Sequence, residues 1–114
     1  MQHVFHLPKE YSFEKVGIKG KNFESAKSLT DKAKFTIIET EEGHHTKIRE
    51  KECTFFYYIL EGGGIFEIDN ENEECQKGDL VVIPNNAIFK YTGTMKMLLV
   101  TIPWWYPEQE ETLE

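Results

Sequence analysis

The sequence has few cysteines and no long apolar run, and each shortage excludes a class of protein. Its two cysteines, Cys53 and Cys75, occur without an export signal, so we expect reduced thiols rather than a disulfide framework. Neither belongs to a Cys-x-x-Cys motif, and a redox or nucleophilic role therefore has no support. The longest apolar runs, residues 54–60 and 97–105, are far shorter than the ~20 residues of a membrane-spanning helix.

Basic residues are also scarce, since 13 Lys and Arg face 20 Asp and Glu and give a formal net charge of −7. This balance argues against nucleic acid or an anionic membrane as partner, because both attract basic patches. The N-terminal segment lacks the charged-then-apolar order of a secretory signal, so we expect a cytoplasmic protein. A chain of 114 residues has the size of one domain, and we assign residues 1–114 to a single domain.

From residue 35 onward, turn-forming residues separate short segments in which apolar residues alternate with period two, the pattern of β-strands. The predicted strands are residues 35–40, 46–50, 54–60, 65–68, 80–83, 87–91 and 95–102. Turns are expected at the glycines of 62–64, at 69–72, at 78–79 and at 84–86. Such spacing is typical of an antiparallel sandwich or barrel. Residues 24–34 allow one or two helical turns, and the acidic C-terminal tail is expected to fray.

Two turn motifs make the sequence resemble small single-domain cupins of the conserved type-2 barrel family. Residues 57–62, YYILEG, end on the glycine of the family's first motif, and Gly78 and Pro84 have the spacing of its second motif. Residues 103–108, PWWYPE, resemble the proline-and-aromatic segment that closes many small cupins. The resemblance covers about residues 35–108, with 109–114 as a tail. It implies an all-β, antiparallel double-stranded β-helix, a jelly-roll barrel.

The same resemblance locates the positions at which cupins hold a metal ion. The histidines of the first motif correspond to Ile48 and Glu50, its carboxylate to Phe55, and the histidine of the second motif to Phe89. Isoleucine and phenylalanine have no electron pair to donate to a metal. We therefore expect no metal and no cofactor.

Two adjacent histidines, His44 and His45, are the remaining candidates for a metal site. Neighbouring residues on a strand point to opposite faces, so both could converge only if this part of the chain were a loop. We expect an exposed turn after Gly43, and an alternative metal site at the two histidines stays open.

Replacement of metal ligands by Ile and Phe makes the barrel interior apolar and aromatic. These side chains either fill the interior as a core or line a pocket for a sugar-like or aromatic small molecule. In a pocket, Glu50 and the two tyrosines would orient the ligand. The candidate ligand-binding residues are Ile48, Glu50, Phe55, Tyr57, Phe89 and Tyr91.

The function that we infer is non-catalytic and metal-free, either small-molecule binding or a structural and interaction role. The alternative is a metal-independent isomerase or epimerase of sugars or sugar nucleotides, with Glu50, Tyr57 and Tyr91 as acid and base. A metal-dependent dioxygenase is weaker, because its ligands are replaced. The resemblance implies a homodimer, in which Trp104 and Trp105 either anchor the interface or form a lid on the barrel.

Overall fold

A computed structural model describes residues 2–113, and within that range nine antiparallel strands form a single curled sheet. The strands are β1 (Phe13–Lys15), β2 (Ile18–Asn22), β3 (Lys34–Thr40), β4 (Gly43–Glu50), β5 (Thr54–Ile68), β6 (Glu71–Gln76), β7 (Leu80–Ile83), β8 (Ile88–Ile102) and β9 (Glu110–Leu113). Two short 3₁₀ helices cover Glu24–Ser28 and Pro107–Gln109. The predicted all-β jelly-roll barrel is confirmed. In this part of the chain, no helix is long and apolar enough to cross a membrane.

Strand β8 lies at the centre of the sheet. One of its edges pairs with β5, and the other pairs with β4 and then with β3. Strands β2 and β1 continue the sheet from β3, whereas β9 continues it from β4. The two halves of β5 also pair with β7 and β6. The sheet curls so that its inner face surrounds the core.

The glycines at 62–64 do not form the predicted turn but lie inside β5. A Cβ atom at Gly62 would be 2.0 Å from the carbonyl oxygen of Thr94, and one at Gly64 would be 2.0 Å from that of Thr92. Glycine is needed here because the backbones of β5 and β8 approach closely where the strands bend. Two predicted strands are therefore one continuous strand.

The acidic tail is not frayed up to residue 113, because Glu110–Leu113 forms β9 and pairs with β4, and Glu114 lies outside the described residues. Gln109 is buried and fixes the start of this strand. Its side-chain oxygen accepts hydrogen bonds from the backbone N–H groups of Glu52 and Cys53, each at 3.1 Å. Charge composition predicted a solvated tail, whereas these contacts with the chain around residue 52 hold it in the sheet.

An aromatic cluster fills much of the interior. Phe66 and Tyr91 have ring centroids 4.7 Å apart, and Tyr57 lies 5.5 Å from Tyr91. Phe55 and Phe89 extend the cluster with centroids 5.9 Å apart. All five side chains are buried. These side chains therefore fill part of the interior as a core. The space that they leave determines where a ligand can bind.

Candidate functional site

A cavity of about 420 Å³ lies between the N-terminal strands, the inner face of the sheet and the C-terminal segment. This volume is in the range of small-molecule sites. Its walls are largely apolar, with Phe13, Ile18, Ile38 and Leu99 among the lining residues. The groups that can bind a ligand through hydrogen bonds or charge include Lys15, Lys34, His44, Tyr57, Trp105 and Glu110.

The six residues predicted to bind a ligand fall into two groups of three. Ile48, Phe55 and Tyr57 line the cavity. Glu50, Phe89 and Tyr91 are buried beside it, each with 1% of its surface exposed. The structure thus brings all six together around one space, and their role in binding stays a prediction.

His44 is a cavity residue that the sequence analysis placed in an exposed turn. That expectation is wrong, because strand β4 begins at Gly43 and the His44 side chain is buried. Its Nδ1 lies 2.8 Å from the carbonyl oxygen of Thr46, and a carbonyl only accepts, so Nδ1 carries the hydrogen. Burial lowers the pKa of His44. The ring is therefore neutral near pH 7, with Nε2 as an acceptor.

His45 points to the other face of β4 and is exposed. The two histidines therefore do not converge on one ion, which answers the question left open by the sequence. Among residues 2–113, no group of three or more His, Cys, Asp or Glu side chains is arranged to hold a metal ion.

Two carboxyl groups lie at the C-terminal side of the cavity. Glu110 on β9 lines the cavity, and Glu50 is its register partner on β4. Glu50 Oε1 accepts a 3.0 Å hydrogen bond from Trp105 Nε1 and another from Gln109 Nε2. Burial, and then the neighbouring Glu110 carboxyl, raise the pKa of Glu50 to about 8. Glu50 is therefore mostly protonated at neutral pH.

The two tryptophans follow β8, and Trp105 lies beside two lysines of the cavity. Trp104 is buried, with 8% of its surface exposed, and Trp105 forms part of the cavity wall. The amines of Lys15 and Lys34 lie 5.5 and 5.4 Å from the centroid of the Trp105 ring. Burial lowers the pKa of the Lys34 amine. Neither tryptophan is fully exposed, which agrees with the lid, and an interface role in a homodimer stays a prediction.

Tyr57 contributes a hydroxyl group to the cavity wall. Burial raises its pKa well above the usual value, and the nearby hydroxyl of Tyr91 raises it further. Burial raises the pKa of Tyr91 as well. Both phenols stay protonated at neutral pH and can donate a hydrogen bond.

Sequence reasoning missed several of these groups. His44 could have been found, because β4 extends back to Gly43 and alternate residues of a strand face the same side. His44 therefore faces the same side as Ile48 and Glu50. Lys15 and Glu110 gave no comparable indication, because the strands that carry them, β1 and β9, were not predicted.

Comparison with known proteins finds similarity mainly at the level of structure. No protein-family model matches the chain. Over 62 residues, 51% of the chain, it is 39% identical to an uncharacterized protein of Methanocaldococcus jannaschii, and the match spans 50% of that protein's length.

Among solved structures, that of Pac13, described as a unique nucleoside dehydratase, superposes with a TM-score of 0.90 at 23% identity, covering 100% of this chain and 92% of that one. A Streptomyces Pac13 variant with uridine gives a TM-score of 0.91 at 22% identity with the same coverage. KdgF from Halomonas sp. gives a TM-score of 0.74 at 15% identity, covering 90% of this chain and 94% of that one.

The metal expected of many cupins does not fit this interior. Ile48, Phe55 and Phe89 occupy inward positions and offer no ligand atom, and the histidine next to His44, His45, lies on the exposed face of β4. The strand order, the long bent strands and the structural similarities agree with the resemblance read from the sequence. The chain therefore has the fold of a small cupin-like barrel.

Proposed function

We propose that the protein binds a nucleoside-like small molecule in the cavity and removes water from it by proton transfer. The observation that carries the proposal is that the neutral imidazole of His44 and the carboxyl of Glu110 line the same cavity. Such a pair supplies a base and an acid to one bound molecule.

Elimination of water requires these two roles at once. A base takes a proton from carbon, the carbon–oxygen bond on the neighbouring carbon breaks, and an acid protonates the departing hydroxyl, so that a double bond and water result. His44 Nε2 is suited to take the carbon-bound proton because its ring is neutral. Glu110, or the Tyr57 hydroxyl, is suited to give the proton to the leaving group.

The walls of the cavity suit a flat ring joined to a sugar. Ile48, Phe55 and Leu99 offer apolar surface, and Trp105 offers an aromatic face at the opening. Support comes from similar folds, since Pac13 structures with uridine include variants in which a histidine is replaced by glutamine or a tyrosine by phenylalanine. The same residue types line the cavity of this chain.

A binding protein without turnover is the second candidate, and the largely apolar lining favours it. The isomerase or epimerase considered from the sequence needs the same base and acid, but it returns the proton to carbon instead of expelling hydroxide. None of these functions requires a metal or a further cofactor.

The test compares wild type with His44→Gln, and it uses His45→Gln as a matched control on the outer face of the same strand. Binding is measured by protein NMR during titration with uridine, with ribose as reference. Turnover is measured by mass spectrometry, as the loss of one water from nucleosides that carry a carbonyl on the sugar. We expect uridine to bind all three proteins. His44→Gln should slow elimination by about 10² to 10⁴ and His45→Gln should not.

Two outcomes contradict the proposal in different ways. If uridine and its analogues do not bind, the ligand class is wrong. If they bind at the cavity but no water is lost with any carbonyl-bearing nucleoside, the binding protein replaces the dehydratase.

A further inference from the structure

We propose that Glu50 and Glu110 share a single proton at neutral pH, and that Glu50 in this way keeps a transferable proton on the carboxyl that faces the cavity. Glu50 is then a positioning residue, since it does not line the cavity and acts through Glu110. The shared proton follows from the structure of the free protein. Its delivery to a ligand rests on the proposed function.

The geometry leaves one oxygen of Glu50 without a partner. Only 1% of the residue is exposed, and its Oε1 is held by the indole N–H of Trp105 and the amide of Gln109. Within residues 2–113, Glu50 Oε2 has no hydrogen-bond donor. Glu110 is the register partner of Glu50 on β9, so the two carboxyl side chains lie side by side on one face of the sheet. A proton on either group turns it into a donor to the other and satisfies the buried oxygen.

Neither Glu50 nor Glu110 takes part in an ion pair with another residue of the described range 2–113. The ion pairs found in residues 2–113 use other acids, namely Glu61, Glu67 and Glu111. Two carboxylates side by side in a buried site would repel each other, and a shared proton removes one charge.

The histidine, tyrosine and cysteine groups around the pair do not supply a positive charge. Those that act on it are His44 on β4, Tyr57 on β5 and Cys53 just before β5. Burial lowers the pKa of His44, raises that of Tyr57, and raises that of Cys53 to about 11, so all three are neutral at pH 7. Lys15 and Lys34, which line the same cavity, contact the ring of Trp105 and belong to none of the ion pairs found in residues 2–113.

Sharing gives Glu110 a property that a lone surface carboxyl lacks. An ordinary glutamic acid is ionised at pH 7 and has no proton to donate. Trp105 and Gln109 fix the orientation of Glu50, so its unpartnered oxygen stays available to Glu110. The pair then holds one proton near the pH at which the cavity needs it, as efficient general acid catalysis requires.

The test is a pH titration of glutamate ¹³Cδ shifts by NMR in wild type, Glu50→Gln and Glu110→Gln. Glu111→Gln, on the same strand but paired with Arg49, is the matched control. In wild type the pair should titrate in two separated steps, one of them above pH 7. Glu110→Gln should move the Glu50 step down by at least about one pH unit, since it removes the repulsion and adds an amide donor. Glu50→Gln should remove the step above pH 7.

The shared proton is overturned if both carboxyls ionise below about pH 6, or if the Glu50 step is unchanged in Glu110→Gln. Because this titration needs no ligand, it is independent of the proposed function. The delivery role is tested by the pH profile of water elimination, whose alkaline limb should move to lower pH in Glu50→Gln. An unchanged pH profile would overturn the delivery of the proton to the ligand. Absence of turnover in wild type would overturn the proposed function but not the shared proton.

Discussion

Trp105 Nε1 donates a 3.0 Å hydrogen bond to Glu50 Oε1, and this contact joins the wall of the cavity to a fully buried carboxyl. Gln109 donates to the same oxygen. The aromatic segment and strand β9 are therefore held against β4 through one acidic group. Because that group is protonated near neutral pH, the packing of the C-terminal segment depends on pH.

We predict that this dependence is visible in the free energy of unfolding, which should decrease as pH rises from about 5 to about 8 because of Glu50. Folding raises the pKa of Glu50 from 4.5 to about 8, so between these values the folded state binds more protons than the unfolded state. The stabilising contribution of Glu50 is complete below the unfolded-state pKa of 4.5, and it is lost as pH rises through the folded-state pKa of about 8. Each pH unit corresponds to about 1.4 kcal/mol, which gives a loss of a few kcal/mol.

Urea unfolding of wild type and Glu50→Gln at several pH values isolates this contribution. His44 acts in the opposite sense, because burial lowers its pKa and its contribution is lost as pH falls below its ordinary 6.5. That effect is common to both proteins and cancels in their difference. The variant should gain stability relative to wild type up to about pH 8. Equal slopes in the two proteins would show that Glu50 does not retain its proton in the folded state.

Local pattern was enough to predict much of the sheet. Alternation located β3, β4 and β7, and the turn predicted at 69–72 was correct for Asp69 and Asn70, both at positive φ, whereas its second half begins the unpredicted strand β6. These features depend on neighbouring residues only, and Asp and Asn tolerate this conformation better than most residues.

The candidate site depended on contacts between distant parts of the chain. Glu50 was predicted to face inward, but its pairing with Glu110 is a property of the β4–β9 register, which no local pattern encodes. Lys15 reaches the cavity only because the N-terminal strands pack across its opening. The glycines of 62–64 were misread for a related reason, since close approach to β8 cannot be seen from β5 alone.

The homodimer remains a proposal, and the structure suggests a different interface from the one expected. Tyr58 pairs with Leu80 and Phe56 with Val82, so their side chains lie on one outer face of the sheet. Leu80 is 59% and Tyr58 43% exposed. Two copies could bury these faces against each other by sheet packing. We predict that Leu80→Lys converts a dimer to a monomer.

Light scattering coupled to size exclusion measures this change. Ile65→Lys is the matched control, because Ile65 is 40% exposed but lies on the half of β5 that pairs with β6. It should leave the dimer intact. A wild-type mass equal to one chain at high micromolar concentration would contradict the prediction, as would equal dissociation by both variants.

The lysines at the cavity lead to a prediction about the charge of the ligand. Lys34 lines the cavity, and its amine lies over the face of the Trp105 ring. The ion pairs within residues 2–113 do not include Lys34. A partly buried amine gains most from an anionic partner, because water stabilises it less. We therefore expect uridine 5′-phosphate to bind about ten- to a hundredfold more tightly than uridine, the effect of one charge-assisted hydrogen bond of about 1.5 to 3 kcal/mol.

Calorimetric titration of both ligands into wild type, Lys34→Met and Lys21→Met tests this expectation. Methionine keeps much of the apolar stem and removes the charge, so Lys34→Met should abolish the preference for the phosphate while binding uridine nearly as well as wild type. Lys21 is a suitable control because its amine lies 4.9 Å from the Tyr11 ring centroid and it is not part of the cavity wall. Equal affinity of wild type for the two ligands would mean that the amine of Lys34 does not reach the bound molecule. A preference that survives in Lys34→Met but not in Lys21→Met would place the phosphate outside the cavity, since the two lysines contact different rings and neither could substitute for the other.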